Sequence, residues 1–317
     1  MGKKNIFYVG PEHHKTHLHF IREHVGGEYF ITGYNTAQQN TYEAIERLDG
    51  KDVIWFFADL YENIIPYLKG KSVFVPHGLG FKPYLTGNIS RVKLLKKYIT
   101  KIWSTGHLEE YKYLKEGIDR NKIEQIGYTL LFDIPKGPMV ENSLFVSVGW
   151  FRELTCWQNM LRFIKSIPDD ISVHVSTHPS MPQEIKQEFL QYIDSRENFI
   201  CSFEENDIKK AFSICSRAIV GFSSVVTPFH FFRKPVIFIK DRNRFPFFQW
   251  QRLKLQLRNK LFFDILSEST KILAPSIFDR DLVMNAKLSK SAKKIFYESN
   301  WDKDLTVSLI DKAMSRL

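Results

Sequence analysis

A histidine and two glycines stand directly after an apolar run in the first third of the chain. His77 follows the run 73–75, glycines occupy positions 78 and 80, and Lys82 comes five residues after the histidine. Gly78 and Gly80 permit positive φ and a close approach of backbone amides to an anion. His77 can take up a proton near neutral pH, and Lys82 supplies a fixed positive charge. The segment is typical of a loop that binds phosphate and moves a proton, while a solvated loop with a structural histidine is the alternative.

A second histidine ends an apolar run in the other half of the chain. His178 follows the run 173–175 and precedes Pro179. Proline biases the preceding residue toward extended backbone, which restricts where the imidazole of His178 points as the chain leaves a strand. His174, inside the run itself, is interpreted as a structural residue.

Two serines follow a third apolar run, 218–220. Ser223 and Ser224 precede Thr227 and Pro228, and proline fits the first turn of a helix, so we predict that a helix begins between Ser223 and Pro228. Helix N-termini present free amides and about half a positive charge, which suits phosphate. Ordinary capping of the helix by Ser or Thr is the alternative.

A histidine-rich segment follows the first apolar run. His13, His14, His17 and His19 have spacings that bring two imidazoles onto one helix face, where they could bind a metal or an anionic acceptor. Glu12 is the one carboxylate nearby, and a solvated helix face is the favoured interpretation. We predict no metal ion and no other cofactor for this protein.

Short β-rich runs alternate with stretches of helical pattern along the whole chain. The predicted strands are 6–9, 29–32, 53–57, 73–75, 102–104 and 123–126, then 144–148, 173–175, 199–201, 218–220 and 236–239. The predicted helices include 42–48, 108–116, 158–167 and 182–193. This alternation predicts parallel sheets with helices on both faces, and the three segments with candidate site residues all follow strands.

The length of 317 residues suits two domains rather than one core. The segment 132–143 is rich in Pro, Gly and polar residues and is interpreted as a linker. We predict a first Rossmann-like domain over 1–136 and a second over 137–288. Segment 289–317 is predicted to form a helix that returns to the first domain. Two doubly wound α/β domains facing a cleft would bind ligands at the carboxyl ends of their strands.

The composition restricts the partners and the compartment. Lys and Arg number 45 and Asp and Glu 35, a net charge of +10 that favours phosphorylated or otherwise anionic partners. Three scattered cysteines form no disulfide framework, and no apolar run is long enough to serve as a signal peptide or to span a bilayer. We therefore expect a cytoplasmic protein. Basic and aromatic residues over 81–103 and 242–263 would suit the inner face of an anionic membrane, or else a solvated helix face.

The three segments together resemble the CDP-glycerol glycerophosphotransferases of teichoic acid and capsule assembly, which have a GT-B-like catalytic region. That family has a His-Gly loop with a lysine, a His-Pro pair, and a Ser-Ser segment followed by Lys-Pro-Val, in the order in which this chain has them. Ser104-Thr105-Gly106 and Gly127-Tyr128 also match the family. The chain departs from it in having Gly221-Phe222 ahead of the serines, where the family has Asp-Tyr.

The resemblance implies an acceptor-binding first domain and a second domain that binds a CDP-activated donor. It implies that His77 is the general base, with Lys82 beside the transferred phosphoryl group. His178 and the Ser223-Ser224 segment would hold the donor phosphates. Gly78, Gly80, Pro179 and Thr227 complete the predicted substrate-binding set. The acceptor would be a hydroxyl of a glycan or of a polyprenyl-linked acceptor.

Two other functions remain open at this point. One is a GT-B glycosyltransferase that uses a CMP-activated or other nucleotide-activated sugar. The other is a non-catalytic protein that binds polyanions such as RNA. The latter is disfavoured because the sequence has no RNA-binding motif. The absence of a Walker A loop, a GxGxxG segment and HExxH or GxSxG motifs argues against an ATPase, a dehydrogenase, a zincin and an α/β-hydrolase.

Overall fold

The chain forms two compact units, one of Met1–Asp133 with Ser299–Leu317 and one of Ile134–Glu298. The structure is a computed structural model that describes residues 3–33, 39–76, 89–135, 137–149, 157–178, 181–202, 205–220, 226–240, 270–273, 277–288 and 302–317.

The first unit is built on a six-stranded parallel sheet of order β2-β1-β3-β4-β5-β6. Its strands are β1 (Lys4–Val9), β2 (Glu28–Ile31), β3 (Val53–Phe57), β4 (Lys71–Phe74), β5 (Lys101–Ser104) and β6 (Ile123–Gln125). Its helices are α1 (His13–Val25), α2 (Gln39–Leu48), α3 (Ile89–Lys97) and α4 (His107–Lys115). The strands read as continuous apolar runs because both faces of the sheet are covered.

Alternate residues of each strand pack on opposite faces of this sheet. Tyr8 and Trp55 belong to one core with side chains of α2, α3 and α4, whereas Phe7 and Phe56 belong to another with side chains of α1. Successive side chains of a strand point to opposite faces of the sheet, so neighbouring residues belong to different cores. The last helix of the chain, Lys303–Ser315, also packs on the second of these faces, through Ile310 and its neighbours.

The second unit repeats the plan with a six-stranded parallel sheet of order β12-β11-β10-β7-β8-β9. Its strands are β7 (Val140–Val148), β8 (Ser172–Thr177), β9 (Phe199–Cys201), β10 (Cys215–Val220), β11 (Val236–Lys240) and β12 (Thr270–Leu273). Its helices are α5 (Trp157–Lys165), α6 (Gln183–Asp194), α7 (Glu205–Ile214), α8 (Val226–Phe231) and α9 (Arg280–Met284), and the Lys303–Ser315 helix of the first unit is α10. The predicted α/β fold class of two doubly wound units is confirmed.

Each of the eleven predicted strands is confirmed to within a few residues, and β12 was missed. The predicted end of the linker 132–143 is wrong, because β7 already begins at Val140. The strand can begin with polar residues because Val140 to Asn142 are exposed, so no polar side chain has to be desolvated there. Ser143 is buried, yet its hydroxyl accepts a hydrogen bond from the backbone of Ser216 on the neighbouring strand, 2.9 Å away.

The basic stretch 81–103 is only partly described. Arg91 forms an ion pair of 2.9 Å with Asp59, and Lys101 forms one of 2.9 Å with Glu124, so both are engaged within the first unit. Stretch 242–263 lies outside the described residues. Within the described part of the chain, no helix has both the length and the apolar character needed to cross a membrane.

Candidate functional site

The second sheet changes direction between β7 and β10. From β7 the chain adds β8 and β9 on one side, then returns to add β10, β11 and β12 on the other. In open parallel sheets, ligands bind outside the carboxyl ends of the strands at such a reversal. Here β7 ends at Val148 and β10 ends at Val220, and both side chains are buried.

The structure places His178 at this edge. It is the residue after β8, its side chain is exposed, and its backbone amide donates a hydrogen bond of 3.0 Å to the carbonyl of Val148 at the end of β7. Its own carbonyl accepts a hydrogen bond of 3.0 Å from the amide of Met181, shortly before α6. An exposed imidazole on a fixed backbone beside the reversal point can contact a ligand there. Pro179 lies outside the described residues.

His174, four residues earlier, has a different environment. It is buried in β8, and its Nδ1 lies 3.0 Å from the hydroxyl oxygen of Ser202. Burial, aided by the positive charge of Lys210, lowers the pKa of His174. The interpretation of His174 as a structural residue is confirmed.

The segment with Ser223 and Ser224 connects the end of β10 to α8 and lies outside the described residues. Thr227 belongs to α8, which begins at Val226, so the predicted helix start is confirmed. Phe229 on α8 stacks on Phe145 of β7, with ring centroids 5.5 Å apart. This contact holds α8 against β7, one of the two strands that flank the reversal point.

The Lys-Pro-Val segment lies at the opposite edge of the same sheet. Lys234 precedes β11, and its ammonium group donates hydrogen bonds to the carbonyls of Phe212, at 2.9 Å, and of Ser213 at the end of α7. Burial lowers the pKa of Lys234 to about 8. This lysine therefore caps a helix, and it lies at the amino edge of the sheet, away from His178.

The predicted residues of the first unit, His77, Gly78, Gly80 and Lys82, lie in segment 77–88, outside the described residues. The structure describes both flanks of that segment. On one side, the amide of Val75 donates to the carbonyl of Phe57 at the end of β3, at 2.8 Å, and Pro76 is buried.

On the other side of the segment, two residues at the start of α3 bind the turn that follows β3. The hydroxyl of Ser90 donates to Glu62 at 2.9 Å, and the guanidinium of Arg91 pairs with Asp59 at 2.9 Å. Both flanks of segment 77–88 are thus attached to β3 or to the turn after it. Neither Asp59 nor Arg91 was among the predicted site residues.

A buried polar cluster at the end of β1 was also missed. Tyr61 accepts a hydrogen bond from the amide of Gly10 at 3.2 Å, and its hydroxyl oxygen lies 2.8 Å from Nδ1 of His14. Burial and then the charge of Asp59 raise the pKa of Tyr61. A glycine is needed at position 10 because a Cβ there would lie 2.6 Å from the tyrosine oxygen.

The sequence favours a solvated face for the histidines of α1, and the structure departs from this at His14, whereas the side chain of His19 is about half exposed. His14 is buried at the first turn of α1, where it meets the turn after β3, and the ring of His17 lies 6.4 Å from that of Tyr128. Among the residues that the structure describes, no group of three His, Cys, Asp or Glu side chains is placed to hold a metal ion.

The two matching segments at β5 and β6 lie at the same carboxyl edge. Buried Glu109 accepts hydrogen bonds from the amide of Thr105 at 3.0 Å and from its hydroxyl at 2.8 Å. Burial, and then the charge of Glu109, raise the pKa of Tyr128. Gly127 has φ of +90°, and a Cβ there would lie 2.9 Å from the hydroxyl oxygen of Thr306 on α10. These segments have clear roles in the packing of the first unit.

No protein-family model and no curated protein matches this chain. Solved structures do match it. The wall teichoic acid polymerase TagF matches with a TM-score of 0.60 and 12% identity over 99% of this chain and 90% of that chain. A TagF variant soaked with CDPG matches with a TM-score of 0.61 and 14% identity over 99% and 89% of the two chains. The UDP-GlcNAc 2-epimerase from Methanocaldococcus jannaschii matches with a TM-score of 0.58 and 12% identity over 99% of this chain and 100% of that chain. At these identities the similarity shows the fold, which is GT-B-like.

Proposed function

We propose that this protein is a transferase that moves glycerol phosphate, or a related polyol phosphate, from a CDP-activated donor to an acceptor hydroxyl and releases CMP. The observation that carries the proposal is the position of His178, exposed at the carboxyl end of β8 and hydrogen-bonded to the end of β7, in a fold shared with TagF. The order of the His-Gly, His-Pro and Ser-Ser segments along the chain supports it further.

The proposed step is an in-line displacement at the β-phosphorus of the donor. The acceptor oxygen forms a bond to that phosphorus while the bond to the bridging oxygen breaks, and the bridging oxygen leaves with CMP. His77 takes the proton of the acceptor hydroxyl as general base. Lys82 neutralises the transferred phosphoryl group, and the amides of Gly78 and Gly80 line the approach.

The second unit binds the donor in this proposal. The imidazole of His178, with Pro179 holding its backbone extended, meets the donor phosphates at the β7–β10 reversal. Ser223, Ser224 and Thr227 supply donors for the charge that builds on the leaving CMP. Loss of one such donor would raise the barrier by about 3 kcal/mol.

The acceptor in this proposal is a hydroxyl of a cell-surface glycan or of a lipid-linked precursor. Such an acceptor would place the protein at the inner face of the cell membrane. Exposed Lys93 and Lys96 on α3 favour contact with anionic lipid, each adding about 1 kcal/mol near the surface. Co-sedimentation with anionic vesicles at low salt, compared with neutral vesicles, measures this contact directly.

A second candidate is an enzyme that acts on a nucleotide-activated sugar. The UDP-GlcNAc 2-epimerase from Neisseria meningitidis, solved with UDP-GlcNAc bound, matches with a TM-score of 0.56 and 12% identity over 100% of both chains. The same position of His178 would then meet the diphosphate of the nucleotide sugar. The nucleotide base distinguishes the two candidates.

Ligand-induced thermal shifts test the choice of nucleotide. A ligand at about 100 times its Kd adds about 2.7 kcal/mol, which means a shift of several degrees for a unit of this size. We expect CMP, CDP and CDP-glycerol to stabilise the protein and UDP, GDP and UDP-GlcNAc to have little effect. His178→Ala should remove the shift, whereas His19→Ala, which alters a half-exposed imidazole on α1, should retain it. Stabilisation by UDP compounds alone would favour the second candidate.

A further inference from the structure

A charged groove runs along β6, the edge strand of the first sheet. It has a volume of about 750 Å³ and lies between β6, the start of α4 and the last turns of α10. Its lining extends from Arg120, before β6, to Gln125 at the carboxyl end of the strand, and then to His107. The predicted site residues that the structure describes, His178 and Thr227, are not part of its lining.

Basic side chains exceed acidic ones in this groove. The bases are Lys101, Arg120, Lys312 and Arg316, and the acids are Glu110 and Glu124. Leaving the histidine uncounted, the described lining residues therefore carry two more positive charges than negative ones. Such an excess at a concave surface favours an anionic ligand.

The two carboxylates of the groove already have partners. One oxygen of Glu124 lies 2.9 Å from the ammonium of Lys101 and the other lies 3.2 Å from the guanidinium of Arg316. Glu110 pairs with Arg120 at 2.9 Å. The two carboxylates are largely buried and fix the position of their basic partners, while Arg120 and Arg316 are about half exposed and retain further N–H donors.

Lys312 is the basic residue of the groove that the acids do not engage. It is exposed on α10, and within the described ranges it forms no ion pair. It stands one turn before Arg316, about 6 Å along the helix axis. Two cations at that separation on one face can contact successive anionic groups of an extended chain.

The groove also offers surfaces for the uncharged parts of such a chain. Ile123 and Leu309 line it, and they provide apolar contact for carbon atoms. The amides of Asn121 and Gln125 line it as well and can bind hydroxyls. Because the groove follows β6 to its carboxyl end, it reaches the sheet edge at which segment 77–88 is attached.

We propose that the β6 groove binds an extended anionic acceptor, a chain of phosphodiester groups joined by short polyols, alongside the first unit. The basic side chains contact the phosphodiesters, and the end of the chain continues toward the carboxyl edge of the sheet. This assignment rests on the proposed transferase function for its choice of polymer. It concerns a surface of the first unit whose described lining residues belong to none of the predicted motifs.

Fluorescence anisotropy with the full chain tests this assignment. The probe is a labelled synthetic oligo(glycerol phosphate), and an uncharged oligoglycerol and labelled poly(U) serve as comparison ligands. We expect the oligo(glycerol phosphate) to bind, with an affinity that weakens as the salt concentration rises. It should bind about tenfold less tightly to Lys312→Glu, because that variant loses one charge-assisted hydrogen bond. Lys51→Glu, an exposed residue of the same unit outside the groove, makes the same change in net charge and should bind as the wild type does.

Equal weakening by both variants would overturn the assignment, since the effect would then follow net charge alone. Tighter binding of poly(U), with the same dependence on Lys312, would overturn the choice of polymer. The result is independent of donor chemistry. If the chain binds the oligomer through the groove but does not turn over CDP-glycerol, the proposed function fails and the groove remains an anion-binding surface. If Lys312→Glu catalyses transfer with an unchanged KM for the oligomer, the groove is not the acceptor site, and the proposed transferase function is retained.

Discussion

The contact between Gly10 and Tyr61 gives a sharp prediction about the carboxyl edge of the first sheet. A methyl group added by Gly10→Ala would lie 2.6 Å from the tyrosine oxygen and 3.0 Å from a ring carbon. Overpacking of this kind destabilises a core by about 1–3 kcal/mol. Tyr61→Phe removes the hydroxyl that binds the Gly10 amide and His14, and the loss of these two buried hydrogen bonds destabilises the unit by about 2 kcal/mol.

The double variant should be more stable than the sum of these two losses implies. With the hydroxyl absent, the shortest contact of the added methyl is gone and only the ring carbons at 3.0 and 3.1 Å remain close. We therefore expect a coupling free energy of at least about 1 kcal/mol between the two substitutions.

Hydrogen exchange of backbone amides in β1 and β3 measures this coupling. It reports the free energy of opening of the first unit by itself, which matters because a chain of two units need not unfold in one step. Peptides from β7 and β8 of the second unit serve as the internal control and should be unchanged. Strictly additive losses would show that the tyrosine oxygen does not restrict position 10, and the description of this edge would be incorrect.

Three further predictions concern single residues. Burial lowers the pKa of His230 to about 4 from 6.5, so the unfolded chain binds more protons between these values. The free energy of unfolding should therefore fall by about 3 kcal/mol from pH 6.5 to pH 4, and urea midpoints should show a flatter dependence in His230→Leu. Gly127→Ala should destabilise the first unit by about 2 kcal/mol. The effect should exceed that of Gly26→Ala, because Gly26 also has a positive φ but no atom lies within 4 Å of a Cβ built there; chemical denaturation compares the two variants. Lys234→Met should destabilise the second unit by about 2 kcal/mol, because two carbonyls of α7 lose their hydrogen-bond donor. Calorimetry should show that the variant binds CMP as the wild type does, and a loss of CMP binding would place Lys234 in the site.

The sequence predicts the strands of this protein well because its parallel sheets are buried on both faces. Val53–Phe57 is found with its predicted bounds, since an unbroken run of large apolar residues is what a central parallel strand requires. The strand Thr270–Leu273 was missed because its assignment depends on pairing with β11, about 30 residues earlier in the chain, and not on its own short pattern.

The candidate site is less predictable than the fold. His178 could be singled out because it follows an apolar run and precedes proline, both of which are local signals. The contact of Gly10 with Tyr61 joins residues 51 positions apart, and no local pattern announces it. Lys234 belongs to the Lys-Pro-Val segment of the resemblance but was not among the predicted site residues, and its hydrogen bonds show that it caps α7 at the other edge of the sheet.

Phosphorus NMR of the reaction mixture tests the proposed function most directly. The full chain is incubated with CDP-glycerol and an oligo(glycerol phosphate) acceptor, and the signals of the diphosphate, CMP and new phosphodiester are followed with time. We predict that the diphosphate signal declines while CMP and phosphodiester rise in equal amounts, and that His77→Ala reduces the rate at least about a hundredfold. Intact CDP-glycerol under conditions in which the protein consumes UDP-GlcNAc would contradict the proposal.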